Sequence, residues 1–329
     1  MGIKDLNSFL KLNTPSAINE IDLICYRGKT VCIDTSIFLY KYLYKNERFL
    51  EGFFQQIYRL VSNGVKPIYV FDGIPPKQKF KVISNRREKK KTLYDKSQKL
   101  QLEYEIHIDS DPDRAAKIRE EIKKNEKRLI TITSHHIDNL KFMLDLMNIQ
   151  YIQAPGEADL YCSMLYKQGK VDLCLSDDMD LLVSGSTILL RDFNVSSNIV
   201  LEYNLNKILA HLNLTKEQWV DFCILCGCDY SPKIYGIGTK NAYKYILEYK
   251  NIETILDNVK DDPKISIPNN FNYIIARKIF KGELLTNNIN KNSLNVNDLQ
   301  CGKITNFIKE NSHLSYQQIS TRIRKIYSC

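Results

Sequence analysis

The chain has 329 residues, of which 43% are hydrophobic and 26% charged, and its formal net charge is +9. This composition is typical of a globular protein with a sizeable core, and it excludes collagen-like and wholly disordered chains. No stretch approaches the roughly 18 apolar residues of a membrane helix, and the N-terminal MGIKDLNSFL lacks the apolar core of a secretory signal.

The positive charge is concentrated in one segment. Between Lys77 and Lys99 there are ten basic residues and two acidic ones, a net charge of +8. A polyanion such as nucleic acid would suit this cluster, because phosphate contacts release counterions. A solvated helix face or a localisation signal explains the charge equally well.

The first third of the chain predicts alternating strands and helices. Residues 30–35 and 66–72 are short apolar runs typical of buried strands. Residues 37–44 and 49–63, which lie between them, have helical character. A strand–helix–strand order predicts an α/β fold with a mostly parallel central sheet.

A long insertion and a second α/β segment follow. The turn residues 73–76 precede a highly charged segment that runs to about His136 and predicts helices standing off the core. A core helix then resumes at 140–147, and the runs IQYIQA, DLCLS and TILLRDF predict further strands. From Asn204 onward we expect helices, with a loop-like tract over 260–300 that is rich in Asn, Lys and Asp.

Acidic residues follow the predicted strands and open or end the neighbouring helices. They are Asp34, Asp72, Glu157, Asp159, Asp177, Asp178, Asp180 and Asp229. A single one of them, such as Asp34, would be explained as a helix cap. Together they would meet at the carboxyl edge of the sheet and repel one another, which favours two bound Mg²⁺ or Mn²⁺ ions and metal-assisted hydrolysis.

This hypothesis has a geometric condition. Residues two apart on a regular helix point in nearly opposite directions. Glu157 with Asp159, and Asp178 with Asp180, therefore converge only at a helix start or an irregular turn. Pro155 and Gly156 favour such a start for the first pair, and Ser176 is a candidate N-cap for the second.

Two smaller motifs have ordinary explanations beside functional ones. Cys223, Cys226 and Cys228 lack a matching fourth zinc ligand nearby, so we interpret them as reduced core cysteines. The turn 236–240 (GIGTK) lies between predicted helices. It is either a plain helix connection or a phosphate-binding turn, and Lys240 and Lys244 favour the second.

Taken together, the motifs resemble the flap endonuclease family of structure-specific 5′ nucleases. They are MGIKDL, CIDTSIFLY, PIYVFDG-PP, APGEAD, SDDMDLL, CILCGCDY and GIGTKNA, which occur in the family's order over about residues 1–255. The resemblance implies a PIN-like 5′ nuclease fold with a helical arch and a helix–two-turn–helix element. It divides the chain into a nuclease region (1–105), the rest of the arch (106–136), an internal nuclease region (137–258, with the helix–two-turn–helix at about 225–250) and a C-terminal helical region (259–329).

The resemblance also implies roles for matching residues. Asp34, Asp72, Glu157 and Asp159 would hold the first metal ion, and Asp159, Asp178, Asp180 and Asp229 would surround the second. The arch residues Lys79 and Arg86 would face the scissile phosphate, with Arg87 beside them on the DNA. Tyr40 would stack on the base next to the cleavage site, and Gly2 would lie near the substrate. Gly236, Gly238, Lys240 and Lys244 would grip duplex DNA, and the turn would bind K⁺.

Some positions differ from the family pattern. Asp159 stands where flap endonucleases usually have Glu, although related branches use Asp, and Asp177 is not expected to be a direct ligand. The sequence has no sliding-clamp motif near SYQQISTRIRKIYSC, so we do not expect clamp binding. A minimal member, for example a viral one, would fit this pattern.

The sequence therefore predicts a monomeric, Mg²⁺-dependent 5′ flap endonuclease with 5′→3′ exonuclease activity on branched DNA. We expect it in the nucleus or at another site of DNA replication, and in the cytoplasm if it is viral. The alternatives are a 5′ exonuclease or Holliday-junction resolvase of the same superfamily, and a non-catalytic DNA-binding scaffold. RNA cleavage also stays open, because nothing in the sequence reads the 2′-hydroxyl.

Overall fold

The computed structural model describes residues 2–45, 48–284, 290–291 and 301–327. In these residues a central mixed sheet is covered by helices on both faces. The strands are β1 (Ile18–Asp22), β2 (Thr30–Asp34), β3 (Lys66–Phe71), β4 (Tyr151–Gln153), β5 (Leu173–Leu175), β6 (Ile188–Arg191), β7 (Ile199–Asn204) and β8 (Asn290–Lys291). The helices are α1 (Leu6–Asn13), α2 (Thr35–Lys45), α3 (Phe49–Ser62), α4 (Phe80–His107), α5 (Pro112–Leu129), α6 (Ser134–Leu146), α7 (Ala158–Lys167), α8 (Asp180–Val183), α9 (Leu205–Leu212), α10 (Lys216–Cys226), α11 (Thr239–Tyr249), α12 (Ile252–Val259), α13 (Tyr273–Lys281), α14 (Cys301–Glu310) and α15 (Tyr316–Tyr327).

The strands are ordered β1-β7-β6-β5-β2-β3-β4-β8. The five inner strands from β6 to β4 are parallel, so their carboxyl ends lie along one edge of the sheet. Antiparallel pairs flank them, β7 with β6 and with β1 on one side, and β8 with β4 on the other. The prediction of a mostly parallel sheet flanked by helices is confirmed.

The two faces of β2 show how the sheet is buried. Val31 and Ile33 point into one hydrophobic core, which α2, α3, α6, α14 and α15 complete. Cys32 points into the opposite core, formed with α1 and with the helices from α7 to α13. Alternating side chains of a strand face opposite sides, so one short apolar strand anchors both cores.

The charged insertion forms a helical hairpin. α4 and α5 pack against each other along their length, and α5 buries Ala115, Ile118 and Ile122. Asp111 caps α5 by accepting the amide of Arg114, and Pro112 occupies the first turn. The hairpin therefore has its own small apolar seam, which is why it can stand off the sheet.

Two features of the fold were not predicted. The antiparallel pair β1 and β7 carries mixed polar sequences, INEID and IVLEYN, that lack a strong strand pattern. The expectation of a loop over 260–300 is wrong for α13, which buries Ala276, Ile279 and Phe280. Residues 285–289 and 292–300 lie outside the described residues.

Within the described chain, no helix combines the length and apolar character needed to cross a bilayer.

Candidate active site

The parallel strands bring the first acidic residues together. Asp34 is the last residue of β2, and its neighbours in the sheet are β3 and β5. Asp72 follows β3 directly, and Asp178 lies three residues after β5. All three carboxylates therefore emerge at the carboxyl edge of the sheet, where the strand pattern predicts a site.

These residues surround a cavity of about 250 Å³. Six carboxylates line it together with three residues expected to contact DNA: Asp34, Asp72, Glu157, Asp159, Asp178, Asp229, Tyr40, Lys79 and Arg86. The seventh acid, Asp180, lies behind Asp178 with 2% of its surface exposed and accepts the backbone amide of Ile3 at 3.1 Å. We call this space the carboxylate cavity.

The start of α7 meets the geometric condition set by the sequence. Glu157 is the N-cap residue and Asp159 lies in the first helical turn. Asp72 Oδ1 accepts the amide of Ala158 at 2.8 Å, so the loop after β3 is fixed to this helix start. Both acids of α7 thereby face the cavity although they are two residues apart.

The pair Asp178 and Asp180 converges through an irregular turn. Asp178 Oδ1 accepts the amide of Asp180 at 3.1 Å, which places the two carboxylates close together at the start of α8. Ser176 is not the N-cap of α8, which is Met179. The Ser176 hydroxyl instead accepts the amide of Asp178 and donates to Asp34, both at 3.0 Å.

Two cations of the hairpin base reach the acidic cavity. Lys79 forms ion pairs with Glu157 and, at 3.4 Å, with Asp229. Arg86, two turns along α4, pairs with Asp229 at 2.8 Å. Asp229 follows α10, so these ion pairs join the base of the hairpin to the segment after α10.

The electrostatics of the cavity are those of crowded anions. Burial, followed by repulsion from Asp72 and Asp178, raises the pKa of Asp34 to about 8. Burial and then Glu157 raise the pKa of Asp159 well above its usual value, and burial and then Asp178 do the same to the pKa of Asp180. Burial alone would lower the pKa of Lys79. The surrounding carboxylates, Glu157 first, outweigh this effect, so the pKa of Lys79 lies above its usual value. The cavity therefore favours cations.

The donor set fits a hard divalent cation. The lining consists of carboxylate oxygens, which Mg²⁺ and Mn²⁺ prefer, and their mutual repulsion is what a bound cation would relieve. In the part of the chain that the structure describes, no group of three His, Cys, Asp or Glu side chains is arranged as a closed ligand set. Glu157 and Asp229 instead form ion pairs with Lys79, so the ammonium of this lysine supplies positive charge where a metal ion would.

Comparison with family models matches the XPG N-terminal domain over residues 1–93 and the XPG I-region over residues 148–229. Flap endonuclease 1 of Aedes aegypti is 37% identical over 298 residues, which are 85% of this chain and 75% of that protein. The chain belongs to the flap endonuclease family. Human flap endonuclease 1 is also 37% identical, over 85% of this chain and 74% of its own length. The chain spans 46% of the length of the Plasmodium falciparum relative, which is 36% identical.

Solved structures agree with the family. Flap endonuclease-1 from Methanococcus jannaschii has a TM-score of 0.65 at 25% identity, covering 94% of this chain and 95% of its own. The catalytic core of Rad2 in complex with a DNA substrate has a TM-score of 0.71 at 22% identity, with 98% of both chains covered. At that identity the Rad2 match supports the fold. The predicted family, the 5′ nuclease fold and the class of structure-specific flap endonuclease are therefore confirmed.

The N-terminus of this flap endonuclease family member lies against the carboxylate cavity. Gly2 has a φ of +81°, and a Cβ at this position would lie 2.0 Å from Asp178 Oδ1 and 2.6 Å from Asp180 Oδ1. Any side chain here would collide with the two carboxylates, so glycine is required both by φ and by space.

The predicted duplex-binding turn connects α10 to α11. Gly236 has a φ of +85°, and a Cβ there would meet the carbonyl oxygen of Lys264 at 2.2 Å. Gly238 is the N-cap of α11, and Lys240 and Lys244 are exposed on the first turns of that helix. The turn thus presents an open helix start and two cations to solvent, while K⁺ binding and duplex contact stay predictions.

Other predicted residues occupy ordinary positions. Arg87 is exposed on α4 and does not line the carboxylate cavity. Asp177 accepts Lys41 at 2.8 Å and the amide of Asp192 at 2.9 Å, so its carboxylate serves the local fold. Trp219 and Cys223 are core residues.

Sequence reasoning missed the polar residues that hold the acids in place. The hydroxyl of Ser36 donates to Asp72, and Tyr230 donates to Glu157 Oε2 at 2.7 Å. Tyr230 is 3% exposed and directly follows Asp229. A tyrosine beside a candidate ligand was a usable signal, but its partner, 73 residues away, depends on the fold.

Proposed function

We propose that this chain cleaves the phosphodiester at the base of a single-stranded 5′ DNA flap, and that it also acts as a 5′→3′ exonuclease. The observation that carries the proposal is the meeting of acids from β2, β3, α7, the turn after β5 and the end of α10 with two cations from the hairpin. A DNA-binding scaffold would gain nothing from six carboxylates facing a phosphate, because they repel it.

The carboxylates would hold Mg²⁺ or Mn²⁺. Asp34, Asp72, Glu157 and Asp159 would hold one ion, and Asp159, Asp178, Asp180 and Asp229 would surround the other. Two such ions, when bound, would lower the pKa of a water molecule and neutralise charge on both the attacking and the leaving oxygen.

Lys79 and Arg86 would change partners when the metal and DNA arrive. In the structure both pair with acids of the cavity, and Lys79 is largely shielded from solvent. With the carboxylates occupied by metal, Lys79 and Arg86 would turn toward the scissile phosphate and stabilise its developing negative charge.

The remaining parts would position the DNA. Tyr40 lies at the mouth of the cavity with 37% of its surface exposed, which suits stacking on the base beside the cut. The α4–α5 hairpin would receive the single strand, and the 236–240 turn with Lys240 and Lys244 would bind the duplex backbone.

The test uses a 5′-labelled duplex with a single-stranded 5′ flap, compared with nicked and blunt duplexes and a four-way junction, each in Mg²⁺ and in EDTA. Metal-dependent release of the intact flap is the expected result. Preference for the nicked or blunt end would make the protein an exonuclease, and paired cuts in the junction would make it a resolvase. Binding without any cleavage would overturn the proposal in favour of a scaffold.

A further inference from the structure

Three cysteine side chains lie together in the core, between the central strands and α7. Cys32 on β2 and Cys174 on β5 are direct neighbours in the parallel pairing of these strands. Cys162 lies on α7, which packs across both strands. All three side chains are fully buried. We call them the thiol cluster.

One contact in the thiol cluster joins β2 directly to α7. The thiol of Cys32 donates to the sulfur of Cys162 at 3.0 Å, although the two residues are 130 positions apart in the chain. A disulfide bond is about 2.05 Å long, so these sulfurs need to approach each other by only about 1 Å to form one. The sulfur of Cys174 instead contacts the backbone carbonyl of Cys162 at 3.7 Å. The geometry therefore selects Cys32 as the partner of Cys162.

Buried hydroxyl groups continue the thiol cluster. Ser186 Oγ lies 3.3 Å from the sulfur of Cys174 and 3.0 Å from Ser163 Oγ, and both serines are buried. Hydrogen peroxide carries two hydroxyl groups, so it would form hydrogen bonds with these groups that a wholly apolar core does not offer. Local opening of α7 would admit such a small oxidant to the thiols.

The two sulfurs are close to the acids of the carboxylate cavity along the chain. Cys32 is two residues before Asp34, so both side chains lie on the same face of β2. Cys162 is three residues after Asp159, so these two are neighbours on the surface of α7. A bond between the sulfurs would pull the start of α7 toward β2 and shift Asp159 relative to Asp34. A misplacement of about 1 Å at a catalytic centre costs up to about 100-fold in rate.

We propose that Cys32 and Cys162 are an oxidation site, where a peroxide forms a disulfide that slows cleavage and a thiol reductant reverses it. One sulfur attacks the peroxide O–O bond and becomes a sulfenic acid, and one water leaves with the thiol proton. The second sulfur attacks the sulfenic sulfur, the S–S bond forms, and the hydroxyl leaves as a second water with the second thiol proton. The two thiols lose two electrons, which the peroxide takes up.

The effect on cleavage rests on the proposed function, whereas formation of the bond does not. The two parts of the proposal therefore have separate experiments.

The first experiment locates the bond without measuring activity. The full chain is treated with hydrogen peroxide in EDTA, catalase removes the peroxide, free thiols are alkylated, and the unreduced protein is digested with trypsin. The three cysteines of the thiol cluster fall on separate tryptic peptides, 30–41, 142–167 and 171–191. Mass spectrometry should find the first two joined, and dithiothreitol should separate them. A bond to the third peptide, or no bond, would overturn the assigned pair.

The second experiment measures the consequence for cleavage. Single-turnover cleavage of a 5′ flap in Mg²⁺ should be about 100-fold slower after peroxide treatment and should recover in dithiothreitol. Cys32→Ala and Cys162→Ala should each keep their untreated rate after peroxide. The matched control is Cys25→Ala, because Cys25 is exposed and lies outside the thiol cluster. This variant should be inhibited by peroxide like the wild type.

The other outcomes separate the two parts of the proposal. Oxidised protein that carries the Cys32–Cys162 bond but cleaves at the reduced rate constant would overturn the control of cleavage. Inhibition of Cys32→Ala by peroxide would assign the inhibition to another residue and overturn it too. Failure of the reduced wild-type protein to cleave any flap would instead overturn the proposed function, and the peptide mapping would still decide the oxidation site.

Discussion

Two acidic clusters in this protein differ in how their charge is compensated. In the carboxylate cavity six acids meet one partly buried lysine and one arginine. Burial, followed by repulsion from Asp72 and Asp178, raises the pKa of Asp34 to about 8. In the second cluster, Asp221 of α10 accepts two bonds from Arg277 at 2.5 and 2.6 Å and the amide of Ile252 at 3.1 Å. Glu253 completes the arginine's contacts at 2.6 and 2.8 Å.

The difference separates a reactive cluster from a structural one. The guanidinium of Arg277 meets two carboxylates through four hydrogen bonds, so the Asp221 cluster joins α10, α12 and α13 without demanding another cation. The carboxylate cavity has an excess of acids over cations and stays open to solvent and ligand. The number of acidic residues alone therefore does not identify an active site. An excess of acidic over basic side chains around an open cavity does.

The largest effect should come from Asp178→Ala. Removal of this acid should lower the single-turnover cleavage rate about 1,000-fold or more, because bound metal supplies several kcal/mol to the transition state. DNA binding should be retained or tightened, since a negative charge facing phosphate is lost. Cleavage near the wild-type rate would place Asp178 outside the catalytic centre, and Asp177→Ala on the neighbouring residue is the control.

The second effect is on stability and should come from Asp221→Asn. The Asp221 side chain is 5% exposed, and loss of its charge would leave Arg277 with one exposed partner. Removing one member of a buried pair costs about 3 kcal/mol. Urea unfolding should show this loss, while the cleavage rate of the folded variant stays at the wild-type value. A variant that loses cleavage but not stability would reverse the roles given to the two clusters.

The cations of the carboxylate cavity should have an intermediate effect. Lys79→Ala and Arg86→Ala should each slow single-turnover cleavage about 100-fold, the usual cost of losing one group that stabilises transition-state charge. Binding of flap DNA in EDTA should weaken much less. Equal losses in rate and in affinity would mean that these residues only attract DNA, and Arg87→Ala on the same helix is the matched comparison.

The sequence predicts the carboxylate cavity better than it predicts the Asp221 cluster, and for a physical reason. Asp34 and Asp72 each end a short apolar run, so local pattern gives the strand, and the parallel sheet gives their meeting at one edge. Asp221 in WVDFC interrupts an apolar helix, which signals a buried partner but not which one. Arg277 is 56 residues away, in a segment whose many Asn and Lys residues concealed α13.

The antiparallel strands β1 and β7 and the hydroxyls that support the acids show the same limit. β1 and β7 pair over five residues, yet each is only partly buried, so neither has the apolar alternation of an inner strand. Ser176 and Tyr230 contact acids that are 142 and 73 residues away. Contacts of this range arise from tertiary packing, which local propensity and period do not encode.

The smallest effect should come from Glu253→Gln, which tests the exposed half of the structural cluster. The Glu253 side chain is 48% exposed, so its pair with Arg277 should contribute about 0.5 kcal/mol to the free energy of unfolding over most of the pH range.

The pH dependence of this contribution follows from the pKa of Glu253. The hydrogen bond from Arg277 is the main cause that holds the pKa of Glu253 below its usual 4.5. A lowered pKa stabilises the folded state above the unfolded-state pKa and loses that contribution as the pH falls through the folded-state value. The difference in unfolding free energy between wild type and Glu253→Gln should therefore be constant from pH 7 to pH 5.5 and begin to shrink below about pH 4.5. A difference that does not change down to pH 3.5 would show that the glutamine loses packing or geometry, not charge, and the contrast between a charge-satisfied cluster and an open one would then rest on Asp221 alone.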